Sequence, residues 1–174
     1  MDMVVLYICF GICFVCFAIR TSYHVLKNRG SELAESSRFT RALFVFMFLL
    51  WSSWVGMVLG DPYEMSVPEW LRYVGLAAFI IGVAFFIVAH ANVIGGETQA
   101  QGFATRGLYS KLRHPMYYGF ILWVLGLPLF MSTLFALASS AIWIPQFLYW
   151  GKSEEKELEQ KCEAYGQHRQ KTWL

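Results

Sequence analysis

A chain of 174 residues that is 57% hydrophobic, 18% aromatic and only 15% charged excludes an ordinary soluble domain, whose surface takes about a quarter of its residues as charged groups. The apolar residues come in long blocks, an arrangement that suits a lipid bilayer and not water. The net charge of +2 gives no ground for a nucleic-acid partner, and none is expected.

Five blocks approach the length a helix needs to cross about 30 Å of hydrocarbon. They are Met3–Ile19, Ala42–Leu59, Tyr73–Ala91, Met116–Met131 and Leu134–Trp150. The first block follows only Asp2, not the positive charge that opens a signal peptide, so it is expected to be retained. Within it Cys9, Cys13 and Cys16 share one helical face. No His or carboxylate lies near them in sequence, so they are read as packing residues and no metal is expected. In the third block Gly75, Ala78, Gly82 and Ala89 recur near helical spacing, a small-residue face for close helix packing. Only Ser132 and Thr133 separate the fourth and fifth blocks, which predicts a tight antiparallel hairpin.

Lys and Arg set the expected orientation. Thirteen of the fourteen fall between the first and second blocks, between the third and fourth, or after the fifth, and only Arg72 lies on the other side. Asp2, Asp61, Glu64 and Glu69 share that other side. The expected fold is an all-α integral membrane protein of about five transmembrane helices, with the N-terminus outside and the C-terminus in the cytosol. It forms one membrane domain over residues 1–174. Residues 1–100 supply a three-helix scaffold, and residues 101–174 supply a loop, the hairpin and a tail. In the tail Ser153 reads as an N-cap with Glu154 and Glu155 in the first turn. Leu158, Cys162 and Tyr165 then form one apolar stripe, which predicts a cytosolic amphipathic helix lying against the bundle.

Two stretches are out of character with a plain bundle: Gly102 to Gly119, and Glu154-Glu155. The hairpin returns both to the cytosolic side. Pro115 disfavours helix at His114 and suits the first position of the next helix, so His114 is held at a helix N-terminus beside Tyr117 and Tyr109. Gly107 and Gly119 are expected to let backbone approach a ligand closely.

The elements Thr105-Arg-Gly107-Leu-Tyr109, Arg113-His-Pro-Met-Tyr-Tyr-Gly119 and Glu154-Glu-Lys-Glu-Leu158, in that order around a helical hairpin, resemble the isoprenylcysteine carboxyl methyltransferase family and its phospholipid methyltransferase relatives. The resemblance implies an S-adenosylmethionine-dependent methyltransferase with its active site facing the cytosol, in a bacterial or archaeal inner membrane or the endoplasmic reticulum. It implies cofactor contacts at Gln101, Gly102, Phe103, Ala104, Tyr109, His114, Pro115, Met116, Tyr117 and Glu154. It assigns no catalytic residue. A carboxylate at Glu154 suits the cofactor's ammonium, and aromatic faces such as Tyr109 suit its sulfonium.

The carboxyl-methylating relatives carry an Arg four residues before the first Glu. Here that position is Trp150 and the nearest cation is Lys152, so these two are the expected substrate contacts. A Trp cannot grip a carboxylate in bidentate fashion, which favours a lipophilic or small soft nucleophile as acceptor. The Arg-His-Pro-x-Tyr-x-Gly element is also similar to that of NADPH-using membrane sterol reductases, although Phe120 stands where those usually carry an acid. That activity, or a non-catalytic membrane protein of the same fold, is the alternative.

Overall fold

The computed structural model describes residues 3–32, 36–94, 103–162 and 164–173. In order, the helices are α1 (Met3–Asn28), α2 (Ser37–Leu59), α3 (Glu69–Ile94), a 3-10 turn (Gly107–Ser110), α4 (Pro115–Met131), α5 (Leu134–Lys161) and α6 (Tyr165–Lys171). Every named element among the described residues is helical, as expected where no water is available to satisfy an open strand edge. α1, α2 and most of α3 are long and apolar enough to cross a membrane, and α4 is a shorter apolar helix. Much of their apolar surface faces outward, including Val4, Phe44, Phe48 and Ile80. This is an integral membrane protein.

The helices run in alternating directions, which gathers the basic segments at one end of the bundle and the acidic loop at the other. The acidic end is closed by backbone pairing between loop and hairpin. Leu134 donates its N–H to the Tyr63 carbonyl at 2.7 Å, and Met65 donates to Ser132 at 2.9 Å. Asp61 accepts from the backbone N–H of Ala136 at 2.9 Å and so caps the start of α5 from outside the helix. The two-residue hairpin is as predicted, with Ser132 in the left-handed region at φ 61°. Arg72 donates Nε to the carbonyl of Phe130 at the end of α4, at 3.0 Å.

α3 and α4 pack backbone to backbone. A Cβ on Gly82 would lie 2.7 Å from the carbonyl oxygen of Gly119, and one on Gly126 would lie 2.6 Å from that of Gly75. The small-residue face read in α3 therefore meets a matching pair on α4. Gly119 is consumed by this seam and does not face a ligand. Gly107 adopts φ +60° with its open side against the Asn92 amide, so it too serves chain packing.

The buried core lies between α1, α2, α4 and α5. Phe17 stacks on Trp143 with centroids 4.6 Å apart and on Trp150 at 5.3 Å. Cys13 and Cys16 are buried among these side chains, and Cys13 Sγ lies 3.2 Å from the Ser53 hydroxyl.

The tail differs from the expectation. α5 continues unbroken from Leu134 to Lys161, so Ser153 is an interior residue and not a cap. Its hydroxyl accepts instead from Asn28 Nδ2 at 2.7 Å, one of several ties between α5 and the end of α1. Tertiary packing keeps the helix going where the local sequence offered a fresh start.

Candidate functional site

At the basic end, the loop before α4 and the second half of α5 meet. Pro115 opens α4 and is buried, while His114 precedes it with non-helical backbone at φ −130° and ψ 58°. Gly151 of α5 leaves room for the His114 ring, since a Cβ there would lie 3.3 Å from its Cδ2. The ring is held by Glu155, whose Oε1 is 3.1 Å from His114 Nε2 and 2.9 Å from Arg113 Nη1. Glu155 is buried and serves as a clamp from α5 onto the loop.

Glu154, the neighbouring acid, points elsewhere. One helical step turns it about 100° from Glu155, and it accepts a hydrogen bond from the Tyr117 hydroxyl at 2.6 Å through Oε1. Its second oxygen is 3.9 Å from His114 Nδ1, beyond hydrogen-bond range, and the side chain keeps 36% of its exposure. A carboxylate with free acceptor capacity thus opens into a cavity.

That cavity has a volume of about 1150 Å³. Trp150, Glu154, Glu157 and Leu158 line it from one face of α5, at spacings of four, three and one. Tyr109, Arg113 and His114 enter from the loop, and Met116, Tyr117 and Phe120 from α4. Burial, reinforced by the Glu154 carboxylate, pushes the Tyr109 phenol up to about 12, so it stays a neutral donor at physiological pH.

The roof is made by Phe103, Ala104 and α6. Phe103 is buried edge-on against Tyr165, with centroids 5.2 Å apart, and lies 5.3 Å from the His168 ring. The chain end ties the roof to the loop, because Arg113 donates its backbone N–H to the Trp173 carbonyl at 3.0 Å and Trp173 donates to Lys111 at 2.8 Å. The imidazole of His168 is held below its ordinary range, by burial first and then by the nearby Arg113 and Lys171 charges.

Of the residues singled out from sequence, Phe103, Ala104, Tyr109, His114, Met116, Tyr117, Trp150 and Glu154 line this one space. Pro115 is buried behind it as the first residue of α4. Gln101 and Gly102 lie outside the described residues. Lys152 does not share this space: two steps from Trp150 around the helix, it is exposed and is not among the lining residues. Three residues escaped the sequence reading. Glu155 is set apart from Glu154 only by the phase of α5. Arg113 stands in the sequence as the first residue of the Arg-His-Pro element and as one of the orienting cations, with no partner indicated. Arg20 lines the cavity from α1, well over a hundred residues before Trp150.

The arrangement suits S-adenosylmethionine. Glu154 offers an open carboxylate for an ammonium, and Tyr109 and Tyr117 line the same cavity with aromatic rings of the kind that favour a sulfonium cation. The volume lies at the upper end of the roughly 300–1,000 Å³ usual for small-molecule sites. No curated protein and no solved structure matches the chain. The phospholipid methyltransferase family model matches residues 70–167, from the start of α3 through the hairpin to α6. That match covers more than half of the sequence, including Tyr109, Arg113, His114, Tyr117, Trp150 and Glu154 of the cavity lining, and by it this chain belongs to the phospholipid methyltransferase family.

Proposed function

We propose that this protein transfers a methyl group from S-adenosylmethionine to a lipid-tailed acceptor that enters from the bilayer. The observation that carries this reading is the two-sided cavity. Its polar end holds Glu154 and the aromatic cluster, and its other end is walled by Met47, Phe48, Trp51 and Val55 of α2 and Phe86 of α3. α2 packs on α1 and α3 on α4, while α2 and α3 scarcely touch each other. Phe44 and Phe48 are both exposed and line the cavity, so the space between these helices faces lipid. An acceptor with an apolar tail reaches the site sideways, and a water-soluble donor reaches it from the basic end.

Methyltransferases of this family generally use S-adenosylmethionine, whose sulfonium supplies an activated methyl group. The protein's task is then to align the two reactants and exclude water. Glu154 would hold the ammonium and Tyr109 and Tyr117 would favour the cation, under the roof that Phe103 and α6 form. Glu155 holds Arg113 and His114 in place beneath it. In the proposed orientation the chain crosses five times with the N-terminus outside, so the site faces the cytosol, where the donor is made.

Thermal unfolding of the detergent-purified protein tests the reading. S-adenosylhomocysteine, the demethylated product, should raise the unfolding temperature by mass action, and NADPH should not. A response to NADPH alone, or to neither ligand, overturns it.

A further inference from the structure

The cavity contains a cation that the cofactor reading does not use. Arg20 directly follows the apolar block Met3–Ile19 on α1, near the limit of a hydrocarbon layer about 30 Å thick. Basic side chains near such a helix end commonly reach out to the interface, whereas this one is turned onto the cavity. Arg20 lines the cavity, and its Nε–H is buried without a hydrogen-bond partner. Among the described residues no carboxylate lies within ion-pairing distance of it. The other cations on the lining are committed: Lys27 pairs with Glu157 at 2.9 Å and Arg113 with Glu155 at 2.9 Å.

Aromatic faces hold Arg20 in place. Its guanidinium carbon is 5.3 Å from the Tyr23 ring centroid and 5.9 Å from that of Trp150. The Tyr117 hydroxyl lies within hydrogen-bond reach of the guanidinium, while the buried Nε–H keeps no partner and is open to an anion. Trp150 is itself fixed, donating Nε1 to Thr21 Oγ1 at 2.9 Å, and Thr21 donates on to Gln146 at 2.7 Å. The position is built from both helices.

We infer that Arg20 grips the anionic headgroup, carboxylate or phosphate, of the methyl acceptor. Trp150 lies one helical turn before Glu154, about 6 Å further into the bilayer, at the level where the apolar wall of Met47, Trp51 and Phe120 begins. An anion held there is continuous with an apolar tail. The cation that position 150 lacks is thus delivered by α1 onto the ring of the Trp that occupies it. The inference rests on the methyl-transfer reading only in naming the bound amphiphile as the acceptor.

The test uses two probes of equal chain length, dodecyl phosphate and dodecyltrimethylammonium, added to the full chain in dodecyl maltoside. Thermal unfolding should show stabilisation by the phosphate and not by the ammonium. Arg20→Gln should weaken dodecyl phosphate binding about tenfold or more, the loss expected for a charge-assisted bidentate contact, and leave S-adenosylhomocysteine affinity within about twofold. Arg20→Lys should fall between, and Lys152→Gln should match the parent. Equal phosphate binding in Arg20→Gln and the parent, or no phosphate response in the parent, sinks the inference. So does a parallel loss of S-adenosylhomocysteine affinity in Arg20→Gln and Arg20→Lys, which would give Arg20 to the cofactor. Silence toward S-adenosylhomocysteine with an Arg20-dependent phosphate response would instead remove the methyl-transfer reading and leave the anion site standing.

Discussion

Two adjacent carboxylates divide the labour of this site, and single substitutions separate them. Glu154 faces the cavity and keeps an open oxygen, so Glu154→Gln should lower S-adenosylhomocysteine affinity by roughly 10- to 100-fold, the worth of a charge-assisted hydrogen bond, with little change in unfolding temperature. Glu155 is buried between Arg113 and His114, so Glu155→Gln should cost about 3 kcal/mol of stability by stranding the guanidinium. Titration calorimetry and thermal unfolding on both variants give the two patterns, and identical behaviour would contradict the division. His168 adds a pH dependence. Burial and neighbouring cations lower its folded value below the ordinary 6.5 or so, and the unfolded chain therefore binds its proton first as pH falls. The stability it contributes is complete above about pH 6.5 and is lost on acidification. His168→Gln should flatten part of that acid limb in unfolding measured across pH.

At the scale of the helices, the α3–α4 seam decides whether the loop before α4 is held at all. Lipid gives helices no hydrophobic reason to associate, so close backbone contact at small residues supplies the attraction. A methyl group on Gly82 would strike the backbone of Gly119, and one on Gly126 would strike that of Gly75. Gly82→Ala and Gly126→Ala should each cost about 1–3 kcal/mol through forced separation of the helices. Gly11→Ala on α1, which meets nothing within 4 Å, should be silent. Size-exclusion profiles and unfolding temperatures of the three variants make the comparison. An equal effect at Gly11 would mean that helix propensity, not packing, is being measured.

For the molecule as a whole, the proposed route of the acceptor and the proposed orientation are both open to test. A cysteine introduced at exposed Ser66 should react with a membrane-impermeant maleimide in intact cells, whereas one at exposed Lys156 should react only after permeabilisation. Labelling of both from outside would mean an even number of crossings between them and would remove the cytosolic site. The cavity's open flank carries the second claim: the α2 wall at Phe44 and Phe48 is where a bulky or charged substitution should slow uptake of a membrane acceptor without altering cofactor affinity.

Much of this was readable before any coordinate. The apolar blocks declare helices because lipid forbids every other way of satisfying a backbone. Ser132-Thr133 is too short for anything but a hairpin, and the motif around His114-Pro115 marks a helix start that the structure shows. The meeting of His114 with Glu154 follows from that hairpin. What the sequence could not carry was phase and distance. Ser153 reads as a cap by local chemistry, yet contacts with Asn28 and the α1 surface draw α5 through it as one helix, and that continuity alone fixes Glu154 toward the cavity, Glu155 toward the loop and Lys152 away from both. Arg20 carries no local sign of its role, because its partners, the rings of Tyr23 and Trp150, come together only when α1 packs beside α5. Local interactions set which segments are helices; the rotation of each helix, and so the identity of the groups sharing one space, is set by side chains far apart in the chain.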